Sequence, residues 1–173
     1  MRTMLPGSRR ARAVAAIATA MFLVALTASG QSPVPKQGTF KVRHKVSGSV
    51  EELPFGAGRT VSIFHLQGTV EAQREGGPMR DMNCDCLGLM DSKTGNVGRC
   101  LWTDKDGDKV FIELKGQLAA AGGKSRATFT GGTGKYTGIS GGYDVVWAKG
   151  GEEGEPSGGA VFFMDSTGEY KLP

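Results

Sequence analysis

Three cysteines, two histidines and one run of closely spaced aspartates are the groups in this 173-residue chain whose types and spacing could do chemistry. Cys84 and Cys86 stand two apart, so they share a face if their segment is a strand. Cys100 follows after one polar turn, Asp91-Ser-Lys-Thr-Gly-Asn96. Reflecting Cys100 through the middle of that turn, between Lys93 and Thr94, lands on position 87. That position is one residue from Cys86 and three from Cys84. The spacing therefore predicts a Cys86–Cys100 disulfide, reached through a single bulge, with Cys84 as the spare thiol. Such a bond closes a loop of about 15 residues and stabilises the fold by about 3 kcal/mol. Cys84–Cys100 is the alternative pairing. A cysteine-based zinc site is disfavoured, because no histidine lies near the cysteines in sequence.

His44 shares its parity with Phe40, Val42 and Val46, and His65 stands in step with Val61 and Ile63. If both faces point inward, the two imidazoles could meet, bind metal or move protons. A rim or hydrogen-bonded histidine is the simpler reading of each, and no metal is assigned. Tyr143 and Trp147 join His44 and His65 as the candidate lining of an interior ligand cavity. Asp104-Lys-Asp-Gly-Asp108 carries acids at positions 1, 3 and 5, as calcium loops do. The residue at position 12 is Lys115 rather than Glu, and Asp-Gly favours a plain turn, so the turn reading is preferred. There is no Ser-His-Asp or Cys-His order that supports a nucleophile, and no catalytic residue is assigned. Glu152-Glu-Gly-Glu155 reads as a solvated loop tip.

The elements that must position these groups are short and β-like. Thr39–Val46 alternates, with Lys41, Arg43 and Lys45 opposite the apolar set. Arg59–Gln73 reads as a long strand or a strand pair interrupted at Gly68. Met82–Met90, Val97–Thr103, Lys109–Lys115, Arg126–Thr130, Gly142–Lys149, Ala160–Asp165 and Glu169–Leu172 follow, separated by turn residues. No apolar period of 3.6 residues with caps appears beyond the N-terminus. Eight or nine strands joined by short turns predict hairpins, hence an all-β, antiparallel barrel of about eight strands, with a β-sandwich as runner-up.

Residues 1–30 read as a secretory signal. Arg2, Arg9, Arg10 and Arg12 precede the apolar run Ala13–Leu26, which is too short to span a bilayer, and Ala28 and Gly30 suit cleavage before Gln31. An uncleaved anchor is the alternative. The expected organisation is then signal peptide 1–30, extended arm 31–37 and barrel domain 38–173, exported to the periplasm or beyond. Removing the four arginines leaves 17 basic residues of the original 21, against 17 acidic ones. A pI near 9.1 therefore describes the leader, and nucleic-acid binding loses its electrostatic support.

Phe129-Thr-Gly-Gly-Thr-Gly-Lys-Tyr-Thr-Gly-Ile-Ser-Gly-Gly-Tyr143 is the most distinctive segment. Gly131, Gly132 and Gly134 read as a tight structural turn, and Gly138, Gly141 and Gly142 as sites of sharp coiling. A phosphate-cradling loop is disfavoured, because a strand follows and the Lys-Ser/Thr pair is missing. The segment resembles the glycine-rich turn and strand of the allene oxide cyclase and dirigent group of lipocalin-like barrels. Gly98–Phe111 is similar to a small secreted bacterial branch of that group without assigned activity. The resemblance implies a barrel with an apolar cavity that hosts cyclisation, guided radical coupling or plain binding. It carries no catalytic residue onto this chain.

The preferred function is an exported barrel that binds a small apolar molecule in its interior, without a cofactor. The alternatives are a cofactor-free isomerase or cyclase of the allene oxide cyclase type, and a structural or interaction protein of the envelope. Oligomerisation is compatible with each. A cavity with a polar group at its floor favours binding or catalysis, and a filled interior favours the structural role.

Overall fold

A computed structural model of the chain describes residues 35–73, 79–119, 122–150 and 160–173. The expected leader, most of the expected arm and the Glu152–Glu155 loop tip lie outside the described residues. Eight strands are described: β1 (Gln37–Pro54), β2 (Thr60–Ala72), β3 (Met82–Asp91), β4 (Gly95–Thr103), β5 (Lys109–Ala119), β6 (Gly122–Gly132), β7 (Ser140–Gly150) and β8 (Ala160–Lys171). One 3₁₀ turn, Gly134–Tyr136, precedes β7.

Each strand pairs antiparallel with the next, and β8 returns to β1, with Gln37 to Gly48 lying opposite Lys171 to Ala160. The ring is closed, so the sheet is a barrel and not a sandwich. Closure gives every strand a hydrogen-bonded neighbour on both sides and leaves no sticky edge. The alternation of β1 emerges as expected: Phe40, Val42, His44 and Val46 are buried, while Lys41, Arg43 and Lys45 are exposed.

Three expectations change. Of the two readings of Arg59–Gln73 the long strand holds: β2 runs as one strand through Gly68, without the interruption expected there. A Cβ at Gly68 would sit 2.0 Å from the Lys45 carbonyl oxygen, so the glycine lets β1 and β2 approach while the strand bends. The last two expected strands are one, β8, and Ser166, Thr167 and Gly168 continue its ladder to β1 and β7. The β3–β4 hairpin is centred on Lys93, half a residue earlier than the sequence suggests, since Asp91 pairs with Gly95. Gly95 has φ +93°, a left-handed conformation that closes a three-residue loop of Ser92, Lys93 and Thr94.

That shift removes the need for a bulge. Cys86 faces Cys100 directly, and the two are bonded, with Cα atoms 4.1 Å apart. Cys84 is the free, buried cysteine among the described residues.

Peptide mapping without reduction will recover Cys86 and Cys100 in one linked fragment pair. Cys84 will react with a maleimide only after unfolding. A Cys84-containing bridge, or rapid labelling of the folded protein, would contradict the register.

Candidate functional site

Even-numbered residues of β1 to β5 and β8 point inward, as do odd-numbered residues of β6 and β7. At the end where β1 begins, this pattern packs Phe40, Trp102, Phe129 and Tyr143 into one aromatic block. Trp102 and Tyr143 stack with centroids 5.0 Å apart, and Phe40 meets Tyr143 at 5.9 Å and Phe129 at 6.0 Å. Tyr136, Ile139 and Leu172 are buried at the same end, so that half of the barrel is filled.

Above the block the packing stops. A cavity of about 50 Å³ lies between His44, Cys84, Trp102, Tyr143, Leu114, Trp147 and Phe162, with Met90 and Asn96 toward the opposite mouth. That is several times the roughly 10–15 Å³ one water needs, and far below the roughly 300–1,000 Å³ of a site for a drug-sized ligand. Sulfur is prominent in the wall: Cys84, Cys86, Cys100, Met90 and Met164 all line it. No charged side chain is among the described lining residues.

His44 forms part of the cavity floor. Its ring lies 5.2 Å from Trp102 and 6.2 Å from Tyr143, centroid to centroid, and only 3% of the residue is exposed. Its Nε2 is 3.0 Å from Ser166 Oγ, and its Nδ1 has no partner. Burial lowers its pKa to about 4, against a small opposing pull from Asp165, so the imidazole is neutral at pH 7. Asn96 and Ser125 satisfy each other through side chains at 3.1 Å.

Of the four residues expected to line a cavity, His44, Tyr143 and Trp147 do so. His65 does not: its Nε2 pairs with Asp85 Oδ1 at 2.8 Å on the outer face. The parity of β2 is set by Ser62, Phe64, Leu66 and Val70, which are buried, and Ile63 is 54% exposed. Apolar residues occupy both faces of that strand, so the sequence does not show which is the inner one. Two imidazoles therefore do not meet. Ser166, the partner of His44, was hidden in what read as a gap between two strands; its signal was parity with Phe162 and Met164.

Cys84 lines the cavity without being a nucleophile. Burial pushes its thiol up to about 12, a nearby Trp102 N–H opposing, so no useful thiolate exists at neutral pH. Its Sγ lies 3.5 Å from Cys86 Sγ.

The glycine-rich segment serves the filled end. Gly131 and Gly134 have φ of +150° and +52°, whereas Gly132 is not left-handed. A Cβ on Gly134 would lie 1.8 Å from Asp108 Oδ1, so only glycine lets this loop dock on the β4–β5 turn. The Lys135 N–H donates to Asp108 Oδ2, and Lys135 Nζ sits 2.6 Å from Asp104 Oδ2 and 2.8 Å from Asp106 Oδ2. The aspartates that resembled a calcium loop thus bracket an ammonium. Asp104 Oδ1 also accepts the N–H groups of Asp106 and Asp108, as a turn requires.

The buried neutral imidazole makes stability depend on pH. The unfolded chain takes up a proton near pH 6.5, while the folded one resists until about 4. Stability is therefore fully present above pH 6.5 and falls as the pH drops toward 4. Between pH 7 and pH 4.5 this group removes about 2–3 kcal/mol. Denaturant unfolding will show that loss in excess of the loss in His44→Phe, which keeps the same carboxylates. Equal pH dependence in both proteins would contradict the assignment.

A scan of protein-family models finds no match, and none of the curated proteins matches the chain. Among solved structures, that of the pterocarpan synthase dirigent protein GePTS1 is similar, with a TM-score of 0.47 and 11% sequence identity. The likeness covers 80% of this chain and 88% of that one.

Proposed function

We propose that the protein is an exported binding barrel that holds a small apolar molecule in the open half of its interior. The observation that carries this reading is the uneven filling of the core. Aromatic side chains pack one half, and an apolar-walled cavity of about 50 Å³ is left in the other. Interiors close-pack by default, so a void costs contacts that a ligand would restore. Its size selects the occupant: one small ring or a short branched chain, not a sterol or a long acyl chain. Export accords with the disulfide, which persists in oxidising compartments. Among the described residues, no helix is long and apolar enough to cross a membrane.

Calorimetric titration with toluene will saturate at one molecule per chain. Leu114→Phe, which adds volume at the wall, will weaken that binding at least tenfold while leaving the melting temperature within a few degrees. An absence of saturable binding to the wild-type protein would defeat the proposal. So would an undiminished affinity in Leu114→Phe.

A further inference from the structure

Three residues that line the cavity carry buried nitrogen atoms with no hydrogen-bond partner among the described residues. His44 Nδ1, Trp102 Nε1 and Trp147 Nε1 are buried and unpartnered, and all three residues line the same space. Trp102 Nε1 lies near the Cys84 thiol, and sulfur is a weak acceptor. His44 and Trp102 are 3% and 0% exposed. Buried polar groups are normally paired, so three orphans around one cavity form a pattern that requires a reason.

Their chemistry is of one kind. Each indole nitrogen is a donor and nothing else. The imidazole is neutral, so one of its nitrogens donates and the other accepts. Ser166 Oγ decides which. Ser166 is fully buried, and its hydroxyl proton needs an acceptor. Among the described residues its one side-chain hydrogen bond is to His44 Nε2. If Nε2 carried the proton, it would donate to Ser166 Oγ, and two groups would be stranded: the Ser166 O–H and the Nδ1 lone pair. If Ser166 O–H donates to Nε2, the pair is satisfied, and only Nδ1–H is left over. The second arrangement strands one group instead of two. A stranded buried group loses its hydrogen bonds to water without replacement, so this is the stable tautomer.

The unmet groups are then all N–H donors, with His44 and Trp102 side by side at a centroid separation of 5.2 Å. Resting on the binding role above, we infer that the cavity recognises a compact apolar molecule carrying a hydrogen-bond acceptor, a carbonyl or ether oxygen, held by His44 Nδ1–H and the neighbouring Trp102 N–H. An anion would find no formal positive charge there. A ligand that can only donate would leave all three N–H groups unmet.

Acetophenone, ethylbenzene and aniline are matched probes: one apolar ring bearing an acceptor, neither group, or a donor. Calorimetry will rank acetophenone about tenfold above ethylbenzene, the worth of one net hydrogen bond, and aniline no higher than ethylbenzene. On acetophenone binding, an indole N–H proton resonance will move downfield; ethylbenzene will not cause this. In the free wild-type protein, ¹⁵N shifts of the His44 ring will report the Nδ1–H tautomer, a readout independent of any variant. His44→Phe will weaken the preference for acetophenone severalfold and retain ethylbenzene. Equal affinities, a preference for aniline, or the Nε2–H tautomer would overturn the acceptor assignment and leave the binding role standing. Failure of all three probes to bind would overturn the binding role itself.

Discussion

The pairing of β1 with β8 is the constraint on which the rest depends. β1 is long enough to serve two neighbours: its first part lies against β8, its later part against β2, and residues 42 to 48 pair on both sides. His44 illustrates the consequence, standing opposite Val70 on one side and Met164 on the other. Once the ring closes, the interior width is fixed by strand number and tilt, and side chains must fit the space rather than adjust it. Glycines at close approaches such as Gly68 and Gly48, whose Cβ would lie 1.9 Å from the His65 carbonyl oxygen, allow the strands to coil tightly enough to meet.

Closure turns a periodic sequence into an interior with two different halves. Large aromatics lie in register near the end where β1 begins, and the Lys135 clasp on Asp104 and Asp106 ties the loops beneath them. Above them the wall mixes Trp147 and Phe162 with smaller or flexible residues, Cys86, Leu114 and Met164. The Cys86–Cys100 bond pins the β3–β4 wall beside this looser region, where packing alone supplies less cohesion. Packing is thereby uneven along the barrel axis: one end is filled, and the other keeps a cavity.

Much of this was legible in the sequence, and the failures have local physical causes. Thr39–Val46 and the cysteine hairpin were readable because one parity is apolar and one turn is polar. The strands proved longer than their alternation, as in Ser47–Pro54 of β1, because a ladder continues wherever a partner strand exists, whatever the side chains. β2 misled because Val61 and Ile63 compete with Phe64 and Leu66 for the inner face, and only pairing with β1 and β3 decides between them. Ser166 looked like a break because a small polar residue in a strand has no apolar signal, although inside the barrel it holds the buried imidazole. No sequence pattern could show the cavity, since a void is a sum over residues from seven strands.

The central claim is that the half of the barrel above the aromatic block encloses a cavity with apolar walls. Diffraction from crystals pressurised with xenon tests it most directly, because xenon enters dry apolar voids and reports their position. The account predicts a xenon site inside the ring, bounded by Cys84, Leu114, Trp147 and Phe162, with the surrounding side chains unmoved. A barrel interior without xenon, its side chains collapsed across that space, would contradict it.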